Sequence, residues 1–120
     1  RPANPSKAQK LLRKSQQQSK EKTWLHWQLK IWCDEKGFTL REEFVFDKNG
    51  RKWRFDFVVL EIKLAIEYNG IFSEKSRHTT VTGYTGDMDK LNAAQAQGYR
   101  VAQFTPLNYR NVLQVVNTYV

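Results

Sequence analysis

The sequence predicts an α/β domain, a mixed four-stranded sheet flanked by helices in the order α-β-β-β-α-β-α. Residues 52–60 alternate in the manner of a half-buried strand, with Trp53, Phe55, Phe57 and Val59 on one face and Arg54, Asp56 and Val58 on the other. Tight connections at 47–50 and 61–63 tie the runs 38–46, 52–60 and 64–68 into an antiparallel meander. A helical stretch then separates the third run from a fourth, so those two strands lie parallel, joined by a right-handed crossover.

The first helix is read over Ser19–Lys36. Trp24, Leu25, Trp27, Leu29, Ile31 and Trp32 recur there at helical spacing, and Gly37 is placed to end it. The tryptophans, His26 and Cys33 are read as packing residues. Asn49-Gly50 is the hairpin signal between the first two strands. Residues 70–86, rich in Gly, Ser and Thr, read as a long functional loop, and Asp87 as the cap of a helix reaching Ala96 and closed by Gly98. Tyr99–Phe104 is the fourth strand. Pro106 opens a last helix whose inward stripe is Val112, Leu113, Val116 and Val120.

With 120 residues, 40% of them hydrophobic and 27% charged, the chain has the composition of one globular domain. No apolar run reaches the roughly 20 residues of a membrane span. The lone cysteine forms neither an internal disulfide nor a thiolate zinc cluster, which suits a reducing cytoplasm. The opening at Arg1, with no apolar signal segment and no initiator methionine, is expected to be a processed or trimmed start or one piece of a longer chain. The net charge of +8 points to a polyanionic partner, DNA first. Arg1, Lys7, Lys10, Arg13, Lys14 and Lys20 stand among residues 1–20 with no acid, so this stretch is expected to be a basic arm, mobile or helical only against DNA or a partner, preceding a folded domain over 21–120.

Two acids, Asp56 and Glu67, are embedded in apolar strand sequence. A connection turning on Glu61 and Ile62 puts them opposite one another, where like charges repel. Such a pair shares a proton, binds a cation or is neutralised by ion pairs with Arg51, Arg54 or Lys63. Magnesium, for which manganese substitutes, is the hard cation that takes one or two carboxylates and leaves positions open for water and phosphate.

The motifs Arg51-Lys52-Trp53-Arg54-Phe55-Asp56, Glu67-Tyr68-Asn69-Gly70, Arg77-His78-Thr79, Gly83-Tyr84, Asp87-Met88-Asp89-Lys90-Leu91-Asn92 and Gly98 through Thr105 together resemble the small phage-borne endonucleases of the PD-(D/E)XK, or restriction-endonuclease-like, superfamily, among them relatives of very-short-patch-repair and Holliday-junction-cleaving enzymes. The resemblance covers residues 38–107 and, loosely, the first helix. It implies a restriction-endonuclease-like nuclease domain over 21–120 that hydrolyses DNA phosphodiesters with magnesium, in a bacterial host cytoplasm if the chain is phage-encoded. It makes Asp56 and Glu67 the metal-binding acids, the Tyr68 carbonyl a further ligand, and Glu21 or Glu43 a third acid. Asn69 departs from the pattern, standing where the motif usually has a lysine, and Lys90 on the crossover helix is the candidate replacement. His78 is the candidate acid, base or phosphate contact. Arg51, Lys52, Arg54, Arg77 and His78, with Lys10, Arg13 and Lys14 of the arm, are the candidate nucleic-acid contacts. Two alternatives stand beside a DNA endonuclease: a nucleic-acid-binding module of the same fold with weakened catalysis, and an RNA nuclease. The chain has no nucleotide-binding loop. Cutting both strands of a duplex with one such site takes a homodimer or two successive nicks.

Overall fold

The computed structural model describes residues 6–48, 50–70 and 80–120, with the backbone alone at 11–19. The first helix, α1, runs Lys7–Lys36, so it starts well before the expected Ser19, and residues 7–20, expected as a mobile arm, belong to it. Its start is a capping box: Ser6 Oγ accepts from Gln9 N–H at 3.1 Å, and Gln9 Oε1 accepts from Ser6 N–H at 2.8 Å. Gly37, at φ +75°, ends it by donating its N–H to the Cys33 carbonyl.

Strands β1 (Leu40–Val45), β2 (Arg54–Val59) and β3 (Leu64–Tyr68) form the antiparallel meander. Between β1 and β2, the Asp47 carboxylate accepts from Gly50 N–H and Arg51 N–H at 3.0 and 3.1 Å; Asn49 lies outside the described residues. A 3-10 turn over Leu60–Ile62 and Lys63 at φ +46° bring the chain into β3. Helix α2 (Val81–Ala96) then carries it to β4 (Arg100–Phe104), which pairs parallel to β3. The sheet order is β1-β2-β3-β4. Helix α3 (Val112–Asn117) closes the chain after a 3-10 turn over Tyr109–Asn111.

Helices cover both faces. On one, Leu25, Leu29, Trp32 and Cys33 of α1 and Val112 and Val116 of α3 pack on Phe57, Val59, Leu64, Ile66 and Phe104. Trp32 Nε1–H also donates to Asn117 Oδ1 at 2.8 Å, tying α1 to the end of α3. On the other, Ala94 of α2 packs with Phe46, Phe55, Val58 and Ala65.

Four expectations are corrected. The buried stripe of α1 runs through Leu25, Leu29, Trp32 and Cys33, leaving Trp24, Trp27 and Ile31 37%, 55% and 54% exposed, since a single helix face cannot bury all six apolar positions. Helix α2 begins at Val81, capped by Thr80, whose hydroxyl accepts from Gly83 N–H at 3.0 Å. Residues 80–86 are thus cap and helix, and Asp87 lies inside it; of the expected loop, residues 71–79 lie outside the described residues. The last helix starts at Val112, not after Pro106, and Leu113 and Val120 are solvent-facing.

The fourth correction matters most. Trp53 and Phe55 do not share a face with Phe57 and Val59: the first two pack in the α2-side core, the second two in the α1-side core. Alternation fails at one level in both strands. The β1–β2 ladder pairs Glu42 with Phe57 and Phe44 with Phe55, but the intervening level, where Glu43 and Asp56 meet, makes no ladder pair. Glu43 there has φ +48°, a left-handed conformation costing an ordinary residue about 1–2 kcal/mol. The kink turns both strands over, so the apolar residues beyond it serve the other core.

Candidate functional site

Asp56 sits at this kink, and Glu67 lies opposite it on the next strand. The β2–β3 register, Val59↔Leu64, Val58↔Ala65 and Phe57↔Ile66, runs out one step before them. In place of further backbone pairing, the carboxylates accept the amide protons. Asp56 N–H donates to Glu67 Oε1 at 3.0 Å, and Tyr68 N–H donates to Asp56 Oδ2 at 2.8 Å. Bonds of this charge-assisted kind contribute about 1.5–3 kcal/mol each, and they fix both side chains without rotamer choice.

Each carboxylate therefore has one oxygen held by backbone and one turned outward. Lys22 Nζ from α1 stands 2.8 Å from Asp56 Oδ1, and Lys90 Nζ from α2 stands 3.1 Å from Glu67 Oε2. Two helices on opposite faces of the sheet thus each send a lysine to the same pair of strands. Lys90 is held from below as well, its ammonium 4.6 Å from the centre of the Phe55 ring. Lys22 has a second acid, Glu43 Oε1, at 3.0 Å.

The charges perturb one another. Burial pushes the Glu67 carboxyl above the usual carboxylate range; the Asp56 charge pushes the same way, and Lys90 opposes both. Burial works against the Lys22 ammonium, but its hydrogen bonds to Asp56 and Glu43 outweigh that and hold its pKa above the ordinary lysine value. Cys33, buried on the packed face of α1 with its thiol pushed up to about 11 by desolvation, is held in the protonated form at neutral pH.

Asp56 and Glu67 both line a cleft of about 460 Å³ between the β1–β2 hairpin and the start of α2. Lys52, Arg54 and Lys90 contribute positive charge to its wall, and Glu43, Asp56, Glu67 and Asp87 negative charge. Gly83 and Gly86 form its α2 side; a Cβ added at Gly86 would meet nothing within 4 Å. An adjoining recess is lined by Asn69 together with Glu67 and Lys90.

The structure therefore brings together Asp56, Glu67, Lys90 and Asn69, with Lys52 and Arg54 on the same cleft. The Tyr68 ring is buried in the α1-side core while its N–H serves Asp56. Arg51 lies on the hairpin, 3.5 Å from Asp89 and stacked 5.1 Å from the Trp53 ring. None of the partners expected to neutralise the acids does so: Arg54 approaches Glu43 at 3.9 Å, and Lys63 donates to the Gln97 carbonyl at 2.7 Å. Glu21 is 7% exposed and not on the cleft wall; its charge is felt by Arg110 instead. Glu43, the other candidate third acid, lies within β1 and on the cleft. Lys10 is exposed on α1. Arg77 and His78 lie outside the described residues, as do the side chains of Arg13 and Lys14.

Sequence reasoning missed Lys22. A lysine on an amphipathic helix reads as solvated, and the available signal was its place one turn before the buried stripe that starts at Leu25, which turns its stem along the packed face.

Among the described residues no three acidic, histidine or cysteine side chains converge on one point where a metal could sit. Asp56 and Glu67 each keep one oxygen that no backbone amide takes and that a lysine already engages; either acid, or both, fits the donor chemistry of magnesium, an ion that commonly takes one or two carboxylates and fills its remaining positions with water and phosphate. Among the described residues no helix is long and apolar enough to cross a membrane. Comparison of the chain with protein-family models, with curated proteins and with solved structures finds no match.

Proposed function

We propose that the protein is a magnesium-dependent endonuclease of the restriction-endonuclease-like type, acting on DNA phosphodiesters. The observation that carries this reading is the carboxylate pair: two acids at one level of adjacent strands, each fixed through one oxygen by a backbone amide, and both among the residues that line a cleft with basic side chains on its wall. A buried structural ion pair has no need of a cleft.

Charge supports the same reading. The wall carries four carboxylates against three cationic side chains, which would repel a phosphodiester. One divalent cation reverses that sign at the point where the substrate must sit. Asp56 and Glu67 would hold the ion, and when bound it supplies Lewis-acid polarisation of a phosphate oxygen and a more acidic water. The chain's own groups do the rest. Lys52 and Arg54 orient the phosphate backbone, and Lys90, fixed by Glu67 and Phe55, presents an ammonium where charge develops on phosphate oxygens. This is the role the motif lysine would take at Asn69, whose amide carries no charge.

A second reading, a nucleic-acid-binding module with weakened catalysis, is favoured by Asn69 and by the lysine already on each outward oxygen. One experiment separates the two. Labelled DNA and RNA are incubated with the protein, with Mg²⁺ or Mn²⁺ and with EDTA, beside the isosteric variants Asp56→Asn and Glu67→Gln. The endonuclease reading expects metal-dependent DNA cleavage that falls by about a hundredfold or more in either variant, with DNA affinity retained. Binding without cleavage under every metal condition overturns it in favour of the binding module. Cleavage confined to RNA changes the substrate class.

A further inference from the structure

We propose that Lys22 is an exchangeable internal cation: its ammonium occupies the outward oxygen of Asp56 until a divalent ion takes that oxygen, and Glu43 then retains it. The proposal rests on the metal-site reading above.

The two lysines at the carboxylate pair are not equivalent. Lys90 has a side chain 17% exposed, an aromatic ring beneath its ammonium and, among the described residues, one acid partner, Glu67. Displacing it would strand a charge in a buried place. Lys22 is 35% exposed and touches two acids, Asp56 at 2.8 Å and Glu43 at 3.0 Å. When it lets go of Asp56 it keeps a partner, and that partner, 49% exposed, is well hydrated. Asp56 Oδ2 is committed to Tyr68 N–H, so Oδ1 is the oxygen an incoming cation would use, and Lys22 is on it. An ammonium and a divalent ion sharing one oxygen would stand within roughly 4–5 Å and repel strongly, so one must leave.

Glu43 is placed for this by the kink. Its φ of +48° breaks the ladder at the level of Asp56, and the broken level is where its carboxylate and that of Asp56 meet across one ammonium. A regular strand would have sent the two side chains along the pleat with the ladder closed.

The test is Mn²⁺ binding to the full chain, by titration calorimetry and by the loss of the free-ion paramagnetic resonance signal. It compares wild type, Lys22→Met and Arg54→Gln. Arg54 lies on the same cleft, 3.9 Å from Glu43, and makes no ion pair with Asp56, so its removal reports the loss of one nearby positive charge alone. Lys22→Met is expected to bind Mn²⁺ about tenfold more tightly than wild type or better, and Arg54→Gln less than about threefold more tightly. The rise in Tm on adding saturating Mn²⁺ should likewise be larger in Lys22→Met. Should Lys22→Met fail to fold, Lys22→Gln, which keeps a hydrogen-bond donor, carries the same comparison. A lysine variant that binds Mn²⁺ no more tightly than Arg54→Gln overturns the exchange while leaving the metal site standing. Absence of Mn²⁺ binding in all three proteins overturns the metal-site reading and the exchange with it.

Discussion

The two faces of the sheet are built on different terms. Towards α1 and α3 the sheet buries Phe57, Leu64, Ile66 and Phe104 under Leu25, Leu29, Trp32, Val112 and Val116, a continuous apolar contact. Towards α2 the cover is thin. Ala94 is the buried residue of that helix among those described, while Val81, Tyr84 and Met88 are 84%, 57% and 39% exposed. Helix α2 is anchored near its C-terminal end, and its first half stands over the cleft with two glycines on the wall. Stability is concentrated on one face, and the other is left open enough to admit a ligand.

That division can be broken at either face. Phe57→Ala removes a ring 1% exposed from the α1-side core and should cost about 3–5 kcal/mol in urea unfolding, enough to unfold a marginal domain of this size. Met88→Ala, at comparable change in volume on the α2 face, should cost less than about 1 kcal/mol. Equal losses would show that α2 is packed as firmly as α1.

Chemistry should show the reverse sensitivity. Lys90→Met keeps the aliphatic stem over Phe55 and removes the ammonium, so DNA cleavage by the folded protein should fall by about a hundredfold, with DNA affinity changed far less. Full cleavage by Lys90→Met would reduce the lysine to a partner of Glu67 and shift attention to Asn69 in the adjoining recess.

The smallest effect is on pH dependence. Burial raises the Glu67 pKa above its unfolded value, so between those two values the folded state binds more protons, and stability falls as pH rises through that window. Glu67→Gln mimics the protonated form and keeps an acceptor for Asp56 N–H. Its stability relative to wild type should therefore be greater above the window and converge as pH is lowered towards 4.5, the unfolded carboxyl value. A difference independent of pH would show that Glu67 ionises at no cost.

The parts of the site that a short turn dictates were legible in the sequence. With the chain reversing at residues 60–63, the spacing alone put Asp56 beside Glu67, and the Val58↔Ala65 register agrees with it. The crossover from β3 to β4, and Lys90 on it, followed from the order of the elements. What could not be read is the face switch at Glu43 and Asp56, because a left-handed residue that is neither glycine nor asparagine carries no local signal. The early start of α2 was hidden by Gly83 and Gly86, which read as breakers but are tolerated because Thr80 caps the turn before them. The start of α1 was legible in principle: Ser6 and Gln9 have capping-box spacing, and it went unread because no apolar run follows at once.

The length of α1 sets a ruler that starts at the carboxylates and runs along the face of the sheet opposite the cleft. At 1.5 Å per residue, the exposed Lys10 lies about 18 Å along the axis from Lys22 at the carboxylates, the rise of about five base pairs of duplex. On the proposed reading, a nucleic acid that reached past the carboxylates to the α1 side of the sheet would be gripped at that remove, giving a lopsided footprint longer on the side of the helix N-terminus.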